Sequence, residues 1–126
     1  MSKLILSLII GLFIISSCTQ KSQNNSKIPF QGDVKEFKMT AKQFVFDPAT
    51  IEVNKGDKIR LIVTSIDVPH GIAIHEYGIN ERLDPGKPVT IEFTADKEGT
   101  FTAFCSVFCG SGHSNMKGKI IVKQNG

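Results

Sequence analysis

Nowhere does this sequence keep a sustained helical period, which argues against a helical bundle. It has no tract of clustered Lys or Arg: 15 basic residues stand against 12 acidic ones, for a formal net charge of +3, so nothing in it suits nucleic acid. No Gly-rich phosphate loop and no paired-carboxylate arrangement stands out, and no internal repeat is present. Trp is absent, and Cys is confined to Cys18, Cys105 and Cys109. No apolar run reaches the roughly 20 residues that a membrane-spanning helix needs.

What is there begins with a leader. Met1-Ser-Lys3 is a short positive start, Leu4 to Ile15 is nearly unbroken apolar, and Ser16-Ser17-Cys18 is a small-residue cleavage region, so residues 1–17 read as a secretion signal. Ile15-Ser-Ser-Cys18 further resembles a bacterial lipoprotein processing site, which implies that Cys18 becomes a lipidated first residue. The alternatives are an ordinary signal peptide or an uncleaved anchor. At about 0.8 kcal/mol per buried CH2, two or more acyl chains would hold the protein stably on a membrane of the bacterial cell envelope, with its domain in the periplasm or otherwise outside the cytoplasmic membrane. Thr19 to Lys27 contains Ser, Asn, Gln and Lys with no apolar side chain, so residues 18–27 read as a lipidated Cys and a flexible polar tether. Nine such residues reach roughly 15 to 30 Å.

Residues 28–126 are enough for one domain and too few for two. Alternating apolar positions predict strands around Ile59, Leu61 and Val63, around Val89, Ile91 and Phe93, and around Ile120 and Val122. Turns are expected at Asn54-Lys-Gly-Asp57, Asp84-Pro-Gly86 and Lys97-Glu-Gly99, spaced as in an antiparallel sandwich. The fold expectation is all-β, a Greek-key β-sandwich.

Chemistry concentrates in Cys105-Ser-Val-Phe-Cys-Gly-Ser-Gly-His-Ser-Asn-Met116. Cys105 and Cys109 are four apart, His113 follows four later and Met116 three after that, so four polarizable donors can converge from one loop. A soft set of this kind suits copper. Zinc is more often met by Cys-x2-Cys pairs, and calcium or magnesium needs oxygen ligands. One loop seldom closes a metal site alone, and His70 in Asp67-Val-Pro-His-Gly71 is the best further donor. One Cys, two His and a weak Met would make a mononuclear blue-copper site and leave Cys105 over; two thiolates can instead bridge two ions. A Cys105–Cys109 disulfide is the competing reading for an exported chain. Met39 reads as core filler, and His75 has no place in the pattern.

Cys-x3-Cys-x3-His-x2-Met preceded by Asp-Val-x-His resembles the binuclear CuA centre of cytochrome c oxidase subunit II and of nitrous oxide reductase. The similarity runs from about Phe44 to Lys123, through Phe-Asp-Pro, Ile51-Glu-Val-x-Lys-Gly-Asp57 and Pro85-Gly86. The resemblance implies a cupredoxin of the CuA type holding two copper ions. Cys105 and Cys109 would bridge both, His70 and Met116 would complete one, and His113 with the main-chain oxygen of Val107 would complete the other. It implies an electron carrier rather than an enzyme, placed between a donor such as a c-type cytochrome and a terminal oxidase or nitrogen-oxide reductase. Copper delivery or assembly, and an accessory role in an oxidase complex, are the other readings. Thiolates outside the cytoplasm imply a thiol reductant and a copper chaperone as further partners.

The chain also departs from the oxidase pattern. It has a signal in place of the usual transmembrane hairpin, Val107 in place of the acidic residue between the cysteines, and no Trp. The expectation is that the copper site is kept while the oxidase contacts are not. Phe101, Phe104 and Phe108 crowd the loop and are expected to shield the metal or pack in the core. Asp67, Glu76, Glu81 and Asp84 are either an acidic patch for a basic partner or scattered solvated acids.

Overall fold

The computed structural model describes residues 32–125, so the expected signal segment, Cys18 and the tether lie outside the described residues. Alternation makes the strands. Along Lys58-Ile-Arg-Leu-Ile-Val-Thr-Ser65 every second side chain is buried and the intervening ones are half-exposed, the period-2 pattern of a strand with one face on a core.

The described residues form nine strands: β1 (Val34–Lys42), β2 (Val45–Asp47), β3 (Thr50–Asn54), β4 (Lys58–Ser65), β5 (His70–Ile74), β6 (Ile79–Leu83), β7 (Val89–Thr94), β8 (Gly99–Phe104) and β9 (Lys117–Lys123). They form two sheets of order β2-β1-β4-β7 and β3-β9-β8-β5-β6, a cupredoxin-like Greek-key sandwich. The sheets meet over a core that includes Met39, Phe46, Leu61, Ile72, Leu83 and Ile120. Among the described residues no helix is long and apolar enough to cross a membrane.

The strands expected from alternation are β4, β7 and β9, and the three expected turns fall between β3 and β4, β6 and β7, and β7 and β8. The pairing is not purely antiparallel. β1 runs parallel to β4, with Val34 opposite Lys58, and β3 runs parallel to β9, with Ile51 opposite Ile120. The chain changes sheet through β2 and the Pro48-Ala49 corner, so consecutive strands β1 and β3 land in different sheets and take distant partners.

Three connections gather at one end of the sandwich: the β1–β2 turn at Gln43-Phe44, the β4–β5 loop at residues 66–69, and the β8–β9 loop at residues 105–116. Hydrogen bonds tie them together. Ile66 N donates to Ala41 O at 3.0 Å, and Gln43 N donates to Asp67 Oδ2 at 2.7 Å.

Candidate metal centre

The β4–β5 loop is shaped by its own polar side chains. Buried Ser65 donates its hydroxyl to Val68 O at 2.5 Å, closing a tight turn. Asp67 then accepts three hydrogen bonds: from Gln43 N, from Val68 N at 2.6 Å and from His70 Nε2 at 2.7 Å. Burial opposes ionisation, but these donors win and hold the Asp67 carboxyl below the usual carboxylate range. An ionised carboxylate only accepts, so His70 donates from Nε2, and Nδ1 is the ring nitrogen left to face the thiols. It lies 3.8 Å from Cys105 Sγ. His70 opens β5, and it is 0% exposed.

The β8–β9 loop is pinched shut where Cys105 N donates to Met116 O at 3.1 Å. Within it Cys109 Sγ stands 3.7 Å from Cys105 Sγ, 3.7 Å from His113 Nδ1 and 3.9 Å from Met116 Sδ. Cys105 Sγ lies 3.1 Å from the Val107 carbonyl oxygen. The structure therefore brings together all six positions that the sequence pointed to, from His70 to Met116, with both cysteines as free thiols. Among the His, Cys, Asp and Glu side chains of the described residues, His70, Cys105 and Cys109 have donor atoms all within 4.8 Å of one another.

Close approach of the two loops depends on Gly71. A Cβ there would come within 2.2 Å of Ser106 Oγ and 3.0 Å of Val107 N, so any larger residue next to His70 would push against the segment that carries the Val107 carbonyl.

Burial first, and then the neighbouring Cys105 thiol and the Asp67 carboxylate, push the Cys109 thiol up from 9.0 to about 11. A metal taking both sulfurs must displace protons. Two thiols, two imidazole Nδ1 atoms, a thioether and a carbonyl form a donor set that fits copper, soft at its centre and weak at its edges.

Other expectations resolve differently. Phe108 is 78% exposed and reaches over the His113 ring with centroids 5.6 Å apart; it is not core. Phe104 stacks edge-on with exposed His75 at 4.6 Å, and Phe101 packs on Tyr77 at 5.2 Å. Met39 is in the core. Of the four acids, Asp67 turns inward to His70 and Asp84 pairs with Arg82 at 2.9 Å. Sequence reasoning named Asp67 as part of a motif and as one of four acids near the site, gave it no role toward His70, and missed Gln43 altogether.

Residues 5–122 match the family described as cupredoxin-like domain. The chain belongs to that family. This cupredoxin is 38% identical over 81 residues to cytochrome c oxidase subunit 2 of Thermus thermophilus, covering 64% of this chain and 60% of the relative. It is 33% identical over 90 residues to the nitrous-oxide reductase of Cupriavidus necator, covering 68% of this chain and 14% of the relative. The cupredoxin thus spans less than two thirds of the length of these relatives and is related to their copper domains. Among solved structures, the periplasmic domain of subunit II of the cytochrome oxidase of Bradyrhizobium japonicum superposes with a TM-score of 0.65 at 26% identity, over 71% of this chain and 84% of that one. A subunit II of cytochrome c oxidase caught as a mixed disulfide with a thioredoxin-like protein superposes with a TM-score of 0.60 at 27% identity, over 71% and 82% of the two chains.

Proposed function

We propose that this cupredoxin is an electron carrier with a binuclear CuA-type centre. Cys105, Cys109, His70, His113, Met116 and the Val107 carbonyl would hold the copper ions. One observation carries the reading: each of two buried thiols, 3.7 Å apart, faces the Nδ1 of its own histidine, Cys105 toward His70 and Cys109 toward His113. A mononuclear site would use one thiol and leave the other without a role. When bound, the copper pair takes up and returns one electron.

The protein's part is to hold the donors still and keep water out. His70 and Met116 are 0% exposed and Asp67 fixes the His70 ring, so the donor positions need not shift as charge changes. That burial favours a resident cofactor over a rapidly exchanged cargo, against the copper-delivery reading. His113 is the less buried imidazole and lines an open cleft of about 430 Å3 with His75, Asn80, Ser114 and Lys117, which makes its edge the point of electron entry from a c-type cytochrome or similar donor. The acceptor is a terminal oxidase or nitrogen-oxide reductase, in keeping with the relatives. A thioredoxin-like reductant and a copper donor would prepare the thiols, and the lipid on Cys18 would tether the domain outside the cytoplasmic membrane.

Copper-to-protein ratio with optical and electron-spin-resonance spectra, after thiol reduction and loading, tests this. Two coppers per chain, a purple colour and hyperfine splitting from two equivalent nuclei are expected. One copper, a blue colour and splitting from a single nucleus would reduce Cys105 to a bystander.

A further inference from the structure

Gln43 lies in the β1–β2 turn, belongs to neither ligand-bearing loop, and touches both. Its backbone N–H donates to Asp67 Oδ2 at 2.7 Å, and the other oxygen of that carboxylate receives His70 Nε2 at 2.7 Å. Its side-chain Nε2 donates to the main-chain carbonyl of Cys109 at 2.5 Å. The two partners are 24 and 66 residues away in sequence. One residue therefore spans from the support of the first imidazole to the peptide of the second thiol.

The contact with the metal loop is direct because glycines line it. A Cβ on Gly110 would come within 2.9 Å of Gln43 Nε2 and of the Phe44 ring, and one on Gly112 would come within 2.4 Å of that ring. Gly110 also has φ +138, a conformation that L side chains rarely adopt, and its carbonyl accepts His113 N at 3.1 Å. The segment that aims His113 is thus shaped against Gln43-Phe44.

We infer that Gln43 is a positioning residue of the metal centre: its two hydrogen bonds set the His70 side of the site against the Cys109–His113 side. Groups that orient ligands govern how tightly a metal is held, because a ligand left free to turn loses part of its bonding on each excursion. The amide of Gln43 is suited to this, since a neutral donor fixes the Cys109 peptide without adding charge to the site. The inference rests on metal binding at Cys109 and His113 and holds for one copper ion or for two.

Gln43→Leu tests it, because leucine is of similar size and keeps the backbone N–H while removing the side-chain amide and with it the Nε2 donor. Native and variant chains are reduced, loaded with copper alone and counted for metal. The variant is expected to take up the same number of ions, to show displaced visible absorption bands, and to lose copper to a chelator about tenfold faster. Either change supports the inference. Unchanged bands and unchanged release overturn it, even where the apo-protein melts lower, because that would leave Gln43 a purely structural contact. If Gln43→Leu does not fold, Gln43→Glu, which puts an acceptor oxygen opposite the Cys109 carbonyl, is read by the same criteria. Should the native chain bind no copper, the proposed function fails while the clamp is still read in apo-protein. There, faster amide exchange at His113 N–H in Gln43→Leu supports it and equal exchange overturns it.

Discussion

The Asp67 carboxylate and the His70 ring form one unit, with Nε2 donating to Oδ1 at 2.7 Å and the ring itself 0% exposed. Asp67→Ala would leave a buried N–H without its acceptor, a loss of about 1–3 kcal/mol. It would also free the ring to turn, which should weaken copper binding by roughly 10–100-fold. Asp67→Asn keeps an acceptor oxygen and should lose less on both counts. Urea unfolding of the apo-proteins and a copper competition assay check this; an alanine variant as stable as the native chain would refute the role.

Protonation of Cys109 gives the apo-protein a pH signature. Its thiol is pushed up from 9.0 to about 11, chiefly by burial, so the folded chain holds that proton more tightly than the unfolded chain does. The contribution to stability is complete below pH 9 and is lost as the pH rises toward about 11. Apo-protein should therefore weaken across that range, and Cys109→Ala should weaken with a shallower slope, whatever its stability at neutral pH. Equal slopes in chemical denaturation at pH 8, 9.5 and 11 would contradict the assignment.

Spacing made the donor set legible, and alternation made β4, β7 and β9 legible, because both are local properties of the chain. β5 was not, since all five of its residues from His70 to Ile74 are buried and leave no alternation to read. β1 was missed for the opposite reason: Lys35, Glu36 and Lys38 interrupt its apolar series. The parallel pairings and the part played by Gln43 depend on contacts between segments far apart in sequence, and no local pattern encodes those. Asp67 was visible as a motif letter, but only the fold shows that its carboxylate is spent on His70.

Gly71 sets how near β5 comes to the metal loop. In Gly71→Ala the new Cβ would meet Ser106 Oγ at 2.2 Å and Val107 N at 3.0 Å. Overpacking of this kind costs about 1–3 kcal/mol, and here it also pushes away the Val107 carbonyl. The hydroxyl can rotate but the backbone cannot, so Gly71→Ala with Ser106→Ala should recover only part of the lost melting temperature. Full recovery would mean that the Val107 backbone yields freely.

Met116 separates core packing from ligation. Its side chain is 0% exposed, and its sulfur lies 3.9 Å from Cys109 Sγ, so both roles are open to it. Met116→Leu conserves volume and apolarity, and as a core exchange it should cost under about 1.5 kcal/mol of apo stability. Leucine has no sulfur to offer a metal. If Met116 is a weak ligand, the loaded variant should have altered absorption bands. Its reduction potential should rise, because losing a donor disfavours the more oxidised level, and it should release copper faster. Thermal melts of the apo-protein and voltammetry of the loaded one make the comparison. A variant with native bands and native potential would leave Met116 as core filler and remove it from the ligand set.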